Sequence, residues 1–176
     1  MNSAKKVLPA LVLATLFAGN IYAAADNIPI QISGRIIASP CTTVNNGISP
    51  LTVPLGDNIG AGTMQNAGAN SDWVEFNIDL TNCPAGTINV KATFTGTPDT
   101  ADNTRWLNMA TTKAANTSVE LKDKATNVMI SNGSTLTAPV SSNKATFKLK
   151  TAAYTKLGAV TPGDISTTVL ASFIYQ

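Results

Sequence analysis

Histidine is absent from this 176-residue sequence. That absence removes Ser-His-Asp and Cys-His catalysis and every histidine-based metal site. Cysteine occurs only at Cys41 and Cys83, too few for a structural zinc site. Charge is scarce: Asp, Glu, Lys and Arg make up 12% of the residues, and no basic stripe stands out, which points away from nucleic acid. After the first two dozen residues no stretch approaches the roughly 18 apolar residues of a spanning helix, so membrane insertion is not expected. No polar low-complexity tract accompanies the low charge, which argues against disorder. What is present is apolar, 44% of the chain, enough for the core of one domain. No cofactor and no enzymatic activity are implied.

Lys5 and Lys6 precede an apolar run from Val7 to Ala18, interrupted by Pro9 and Thr15, and Ala23-Ala24-Ala25 follows. A positive start, a short apolar run and an A-x-A site form the layout of a secretory signal peptide. Residues 1–25 are read as that peptide, cleaved after Ala23 or Ala25. Cleavage removes two lysines and no acid, taking the net charge from +2 to zero. A secreted protein near neutrality gains little electrostatic solubility, which fits a protein meant to associate.

Export gives the two cysteines an oxidising environment, where an even pair reads as a disulfide. A bridge from Cys41 to Cys83 closes a loop of about 43 residues, worth roughly 4 kcal/mol through lost entropy of the unfolded chain. The alternative, a redox pair, ordinarily uses C-x-x-C spacing and a lowered thiol pKa.

No segment after residue 26 keeps a helical period over three turns; alternation of period two recurs instead. The inward sets are Phe76, Ile78 and Leu80; Ile88, Val90, Ala92 and Phe94; Val119 and Leu121; Ala145, Phe147 and Leu149; and Val169, Ala171, Phe173 and Tyr175. The residues between them are mostly polar, as in half-buried antiparallel strands. Turn formers separate the sets: Pro84-Ala85-Gly86, Gly96-Thr97-Pro98-Asp99, Ser131-Asn132-Gly133 and Thr161-Pro162-Gly163. Short strands at this spacing predict an all-β sandwich of the immunoglobulin kind. Residues 56–70 and 98–116 read as long loops, with Trp106, Leu107 and Met109 packing back onto the core.

One extended segment stands apart. Ile28, Ile30, Ile32, Gly34 and Ile36 share one side of it, ahead of the first cysteine. Pro29 lacks an N–H and fits an edge strand better than a central one. Composition leaves two readings open: an ordinary first strand of the sandwich, or a strand meant for another molecule.

These residues resemble the subunits of chaperone–usher pili, and among them the minor type 1 fimbrial subunits that link adhesin to rod. Four features carry the resemblance. A signal peptide is followed by the alternating extension Asp26 to Ile37, which contains Gly34. Gly34-Arg35-Ile36-Ile37-Ala38-Ser39-Pro40-Cys41-Thr42 is similar to the family's opening. Leu55-Gly56-Asp57, then Phe76-Asn77-Ile78-Asp79-Leu80-Thr81-Asn82-Cys83-Pro84, is similar to its second-cysteine strand. At the end of the sequence Gly163 stands fourteenth from last and Tyr175 is penultimate, with alternation between.

The resemblance implies an incomplete immunoglobulin-like sandwich that lacks its seventh strand and is completed by a donor strand from a neighbouring subunit. Residues 26–37 would be the N-terminal donor-strand extension and 38–176 the pilin domain. A periplasmic chaperone would fill the gap first and hold the C-terminal carboxylate of Gln176. At an outer-membrane usher the next subunit's extension would replace it, a case of β-strand addition. Val169, Ala171, Phe173 and Tyr175, with Gly163 and Gln176, would form the acceptor groove and C-terminal motif. Burying Ile28, Ile30, Ile32 and Ile36 would contribute roughly 6–12 kcal/mol, against the roughly 5–15 kcal/mol that a whole domain retains. Gly34 suits a point where the donor approaches another backbone closely.

The implied function is a structural subunit, exported through the periplasm to the cell surface and in contact with adjacent subunits on both sides. A minor linker is favoured over a major rod pilin. The length is that of a subunit without a second, sugar-binding domain. A single-domain adhesin stays open, with Trp73 and Trp106 the only large aromatics able to stack on a sugar. Asp99 and Asp102 lack the spacing of a calcium loop and read as a solvated turn.

Overall fold

The alternating segments pair into two antiparallel sheets. The computed structural model describes residues 28–176, so the signal peptide, Asp26 and Asn27 lie outside the described residues. The strands are β1 (Thr43–Val44), β2 (Val74–Thr81), β3 (Asn89–Gly96), β4 (Trp106–Leu107), β5 (Ser118–Asp123), β6 (Thr135–Pro139), β7 (Lys144–Tyr154) and β8 (Val169–Tyr175). One sheet runs β1-β2-β7-β5-β4 and the other β6-β3-β8. The described residues contain no α-helix, only 3-10 turns at Asn45–Gly47 and Ala61–Met64. No helix among them is long and apolar enough to cross a membrane.

The core lies between the sheets, where the inward positions of both meet. Leu80, Val90, Ala92, Phe94, Ala145, Phe147 and Leu149 are fully buried there, together with Trp106. Period two is what makes this possible, since each strand sends alternate side chains to the same face. Gly96 ends β3 at the point where a Cβ would meet the Trp106 ring and the Thr168 carbonyl. Its missing side chain lets the indole reach the core.

The register defines two ends of the sandwich. At one end Thr81 pairs with Lys144, Val90 with Tyr175, and Cys83 follows β2. At the other, Gly96 pairs with Val169, Trp106 with Val119, and Ser118 with Tyr154. We call these the disulfide end and the loop end. The loops 97–117 and 155–168 gather at the loop end.

Three sequence expectations need correction. β5 is buried on both faces, because Glu120 is covered by Arg105 and Lys122 rather than facing water. Met109 is exposed, since its N–H bonds the Ser166 carbonyl and turns the side chain away from the core that Trp106 fills. Ile88 is exposed as well, because it lies just before β3, beyond the last inter-sheet layer. Trp73 is half-buried and sits on the outer face, with the ammonium groups of Lys122 and Lys150 over its ring at 4.6 and 4.8 Å.

Candidate functional site

β8 is an edge strand with the core behind it. It pairs with β3 on one side, from Val169 opposite Gly96 to Tyr175 opposite Val90, and among the described residues with nothing on the other. The pairing is most closely fixed at the disulfide end. There the Gln176 N–H bonds the Asn89 carbonyl and the Asn89 N–H returns to the Gln176 oxygen, at 2.9 and 3.0 Å. Antiparallel partners alternate between hydrogen-bonded and non-hydrogen-bonded pairs. Ile174, Ser172 and Leu170 therefore direct their main-chain groups to β3. The N–H and C=O groups of Val169, Ala171, Phe173 and Tyr175 point to the open edge.

The side chains of those same four residues line a cleft. They are half-buried, although they face the core, and they pack against it. The cleft has a volume of about 1360 Å³. Its floor includes Phe76, Ile78, Phe94 and Leu121, and its far lip is the segment Leu51–Leu55. Among the described residues that lip makes no main-chain hydrogen bond from Ser49 to Ile59. Burial raises the Tyr175 hydroxyl above its ordinary pKa, so it stays neutral at physiological pH. The site thus offers an apolar trough bordered by unpaired main-chain donors and acceptors, the pattern that an extended peptide fills by strand addition.

Gly163 is placed by close packing, not by backbone handedness. A Cβ there would lie 2.4 Å from the Ala114 nitrogen, in the loop leading to β8. Cys41 and Cys83 are joined as a disulfide, which ties the residues before β1 to the end of β2. A redox role is not needed to explain the pair.

The N-terminal segment forms a unit separate from Ile36–Gln176. Residues 28–40 adopt no regular secondary structure. Ile28, Ile30, Ile32 and Ile36 are 83%, 83%, 90% and 100% exposed, values that a soluble chain rarely shows for four isoleucines in a row of alternation. Among the described residues nothing lies within 4 Å of where a Cβ on Gly34 would stand. Among the described residues no cluster of acidic or cysteine side chains is arranged to hold a metal. Asp99 and Asp102 instead accept hydrogen bonds from their own turn, from the N–H groups of Ala101, Asp102 and Thr104.

Sequence reasoning missed the lip at Leu51–Leu55. Its signal was present as the alternation Leu51, Val53, Leu55, but Pro50 and Pro54 masked it.

Fold and site together define the class: an immunoglobulin-like sandwich one strand short, with its core open along one edge. Residues 30–176 match the fimbrial protein family, and the chain belongs to it. It is a structural subunit of chaperone–usher pili, exported to the cell surface, and not an enzyme. Two relatives and one solved structure illustrate the match. Protein FimG of Escherichia coli K12 is 35% identical over 154 residues, which cover 86% of this chain and 87% of that protein. The S-fimbrial adhesin protein SfaS of Escherichia coli O6:K15:H31 is 34% identical, over 96% of this chain and 98% of that one. The crystal structure of the P pilus rod subunit PapA superposes with a TM-score of 0.63 at 18% identity, covering 78% of this chain and all of that one.

Proposed function

We propose that the chain polymerises by donor-strand exchange and serves as a minor linker between tip adhesin and rod. The observation that carries the first part is the open edge of β8. Its inward side chains line the cleft, and the main-chain groups of the same residues are unpaired. Residues 26–37 are the donor of the next joint, freed when the signal peptide is cleaved after Ala23 or Ala25. Ile28, Ile30, Ile32 and Ile36 fill a neighbour's trough, and Gly34 marks the register. Val169, Ala171, Phe173 and Tyr175 receive the strand of the subunit on the other side. A periplasmic chaperone covers the trough before assembly, and an outer-membrane usher is where the strands change places.

The direction of insertion follows from the ends of the sandwich. This chain's own extension leaves at the disulfide end, from Cys41. A donor antiparallel to β8 enters with its N-terminus near Tyr175 and finishes near Val169, so its own domain sits beyond the loop end. Subunits then stack head to tail. A parallel donor would crowd two domains at the disulfide end and block the next joint.

The likeness to FimG at 35% identity over most of both chains supports a linker rather than the rod. Abundance in sheared fibres checks this: a linker is rare, and a dominant band would assign the rod. The likeness to SfaS favours a second reading, a single-domain adhesin. Specific binding on a glycan array by the strand-completed subunit would support it, and a blank array would remove it.

The decisive experiment is thermal unfolding of residues 38–176, disulfide intact, with and without a peptide of residues 26–37. The expected result is a low midpoint alone and a large rise with peptide. A high midpoint that no donor peptide changes would mean that the sandwich is already complete, and the reading would fail.

A further inference from the structure

The exchange reading concerns a strand that leaves and a groove that receives. The structure joins the two at the disulfide end through three consecutive residues, Thr87, Ile88 and Asn89. The Thr87 hydroxyl donates to the Ser39 carbonyl at 2.9 Å. The N–H groups of Ile88 and Asn89 both donate to the main-chain oxygen of Gln176, at 2.6 and 3.0 Å. Thr87 is buried, and its own N–H bonds the Pro84 carbonyl, so the turn after Cys83 is closed on itself.

Ser39 stands two residues before Cys41, and Thr87 four residues after Cys83. The chain leaving the domain is thus held twice, covalently at Cys41–Cys83 and by the hydroxyl at Ser39. With the bridge alone, the free chain would begin at Pro40. With the second tie it begins at Ala38, and the donor's course is set by the same turn that holds the end of β8. A buried threonine has many ways to satisfy its hydroxyl. Spending it on an exposed residue outside any strand is not required by the core, because valine fills the same volume.

We propose that Thr87 is a positioning residue for donation: its hydroxyl clamps the root of the extension, so that a subunit presents its donor strand in a fixed direction. This rests on the exchange reading. It also predicts an asymmetry that a purely structural role does not. Losing the clamp should slow the giving of a strand and leave the receiving of one unchanged.

The test uses the full mature chain in two forms. In the donor form the groove is filled with unlabelled peptide 26–37. In the reporter form the groove holds the same peptide labelled with a fluorophore, and the reporter's own extension carries G34L to weaken its donation, which a sample of reporter alone measures as background. Donation is the rate at which the donor form releases the label. Acceptance is the rate at which each variant's groove exchanges labelled for unlabelled peptide. T87V is expected to lower donation about threefold to tenfold, the effect of one lost neutral hydrogen bond. Acceptance should not change, and T87S should restore donation. Equal donation by T87V and the parent would overturn the proposal. So would a parallel fall in both rates, which would mark Thr87 as merely structural. A second measurement does not need the variant: the backbone order parameter of Ser39 in the parent should be near 0.85, against below about 0.6 at Ile32. Equal mobility at the two positions would also overturn it. If the parent releases no label at all, the exchange reading falls, and this inference with it.

Discussion

β7 and β8 carry the same pattern and meet different fates. Ala145, Phe147 and Leu149 on β7 alternate with polar residues, and they are 0%, 1% and 0% exposed. Val169, Ala171, Phe173 and Tyr175 on β8 recur with the same period, between Leu170, Ser172 and Ile174, face the same core, and remain half-buried. Phe147 and Phe173 even touch, with ring centroids 5.8 Å apart. The difference is the neighbours. β7 lies between β2 and β5, whereas β8 has only β3 among the described residues. Apolar alternation specifies that a side chain turns inward. It does not specify that the inside is closed.

The widest separation between the two strands should come from truncating those rings. Phe147→Ala is expected to cost about 3–5 kcal/mol whether the cleft is empty or filled. Phe173→Ala should cost less than half of that when the cleft is empty and approach it when a donor strand is bound. Chemical denaturation with and without peptide 26–37 measures both. If the two substitutions cost the same in the empty state, β8 is already enclosed and the comparison collapses.

Next in size is the bridge at the disulfide end. The paired substitution Cys41→Ser and Cys83→Ser should remove about 2–4 kcal/mol, chiefly by enlarging the unfolded ensemble. Donor peptide should still raise the midpoint of the reduced form. A loss of that response would show that the bridge shapes the cleft as well as the stability.

The donor side gives a smaller effect. Gly34→Leu in the peptide should take away about 1–3 kcal/mol of its stabilisation by overpacking. Ile30→Val should take away about 1 kcal/mol, the value of a methylene group. Calorimetric titration of the two peptides against the same domain separates them, and a larger loss from Ile30→Val would contradict the register assigned to Gly34.

The smallest effect tests the outer face of the closed strand. The Thr146 hydroxyl holds the Asp79 carboxyl below its ordinary pKa, and Lys144 adds to this while partial burial opposes it. A carboxyl depressed in the folded state stabilises above its unfolded pKa, near 4, and that contribution is lost as pH falls through the lower folded value. Asp79→Asn should therefore lower stability slightly at pH 7, where that contribution is fully present, and flatten the acid limb, so that the two proteins converge as pH falls through the lower folded value. An unchanged acid limb would show that the Thr146 and Lys144 contacts do not persist in solution.

Much of the fold was legible in the sequence because period two survives any tertiary arrangement. Five strands could be located from their inward sets alone. The short pieces could not: Thr43–Val44 and Trp106–Leu107 are two residues each, too brief for alternation to register. β6, with Leu136 and Ala138 as its inward pair, is almost as faint. Glu120 misled for a different reason. A carboxylate on an alternating strand reads as a solvent position, and only the fold brings Arg105 from a distant loop to neutralise it. Of the candidate site, β8 and the isoleucine segment ahead of Cys41 were both visible as alternation, and the lip was hidden by its prolines.

By itself the sequence determined the five longest strands, most of their inward residues, the cysteine pair and the absence of histidine chemistry. These follow from local periodicity and composition, which need no partner. The tertiary structure alone decided that β8 has one neighbour instead of two, and that Leu51–Leu55 stands across the gap as a lip. It also decided that the root of the extension and the end of β8 are tied to one turn. Those are facts about which strands meet. Strand pairing is a long-range choice, set by how two sheets close over a shared core, and no local pattern encodes it.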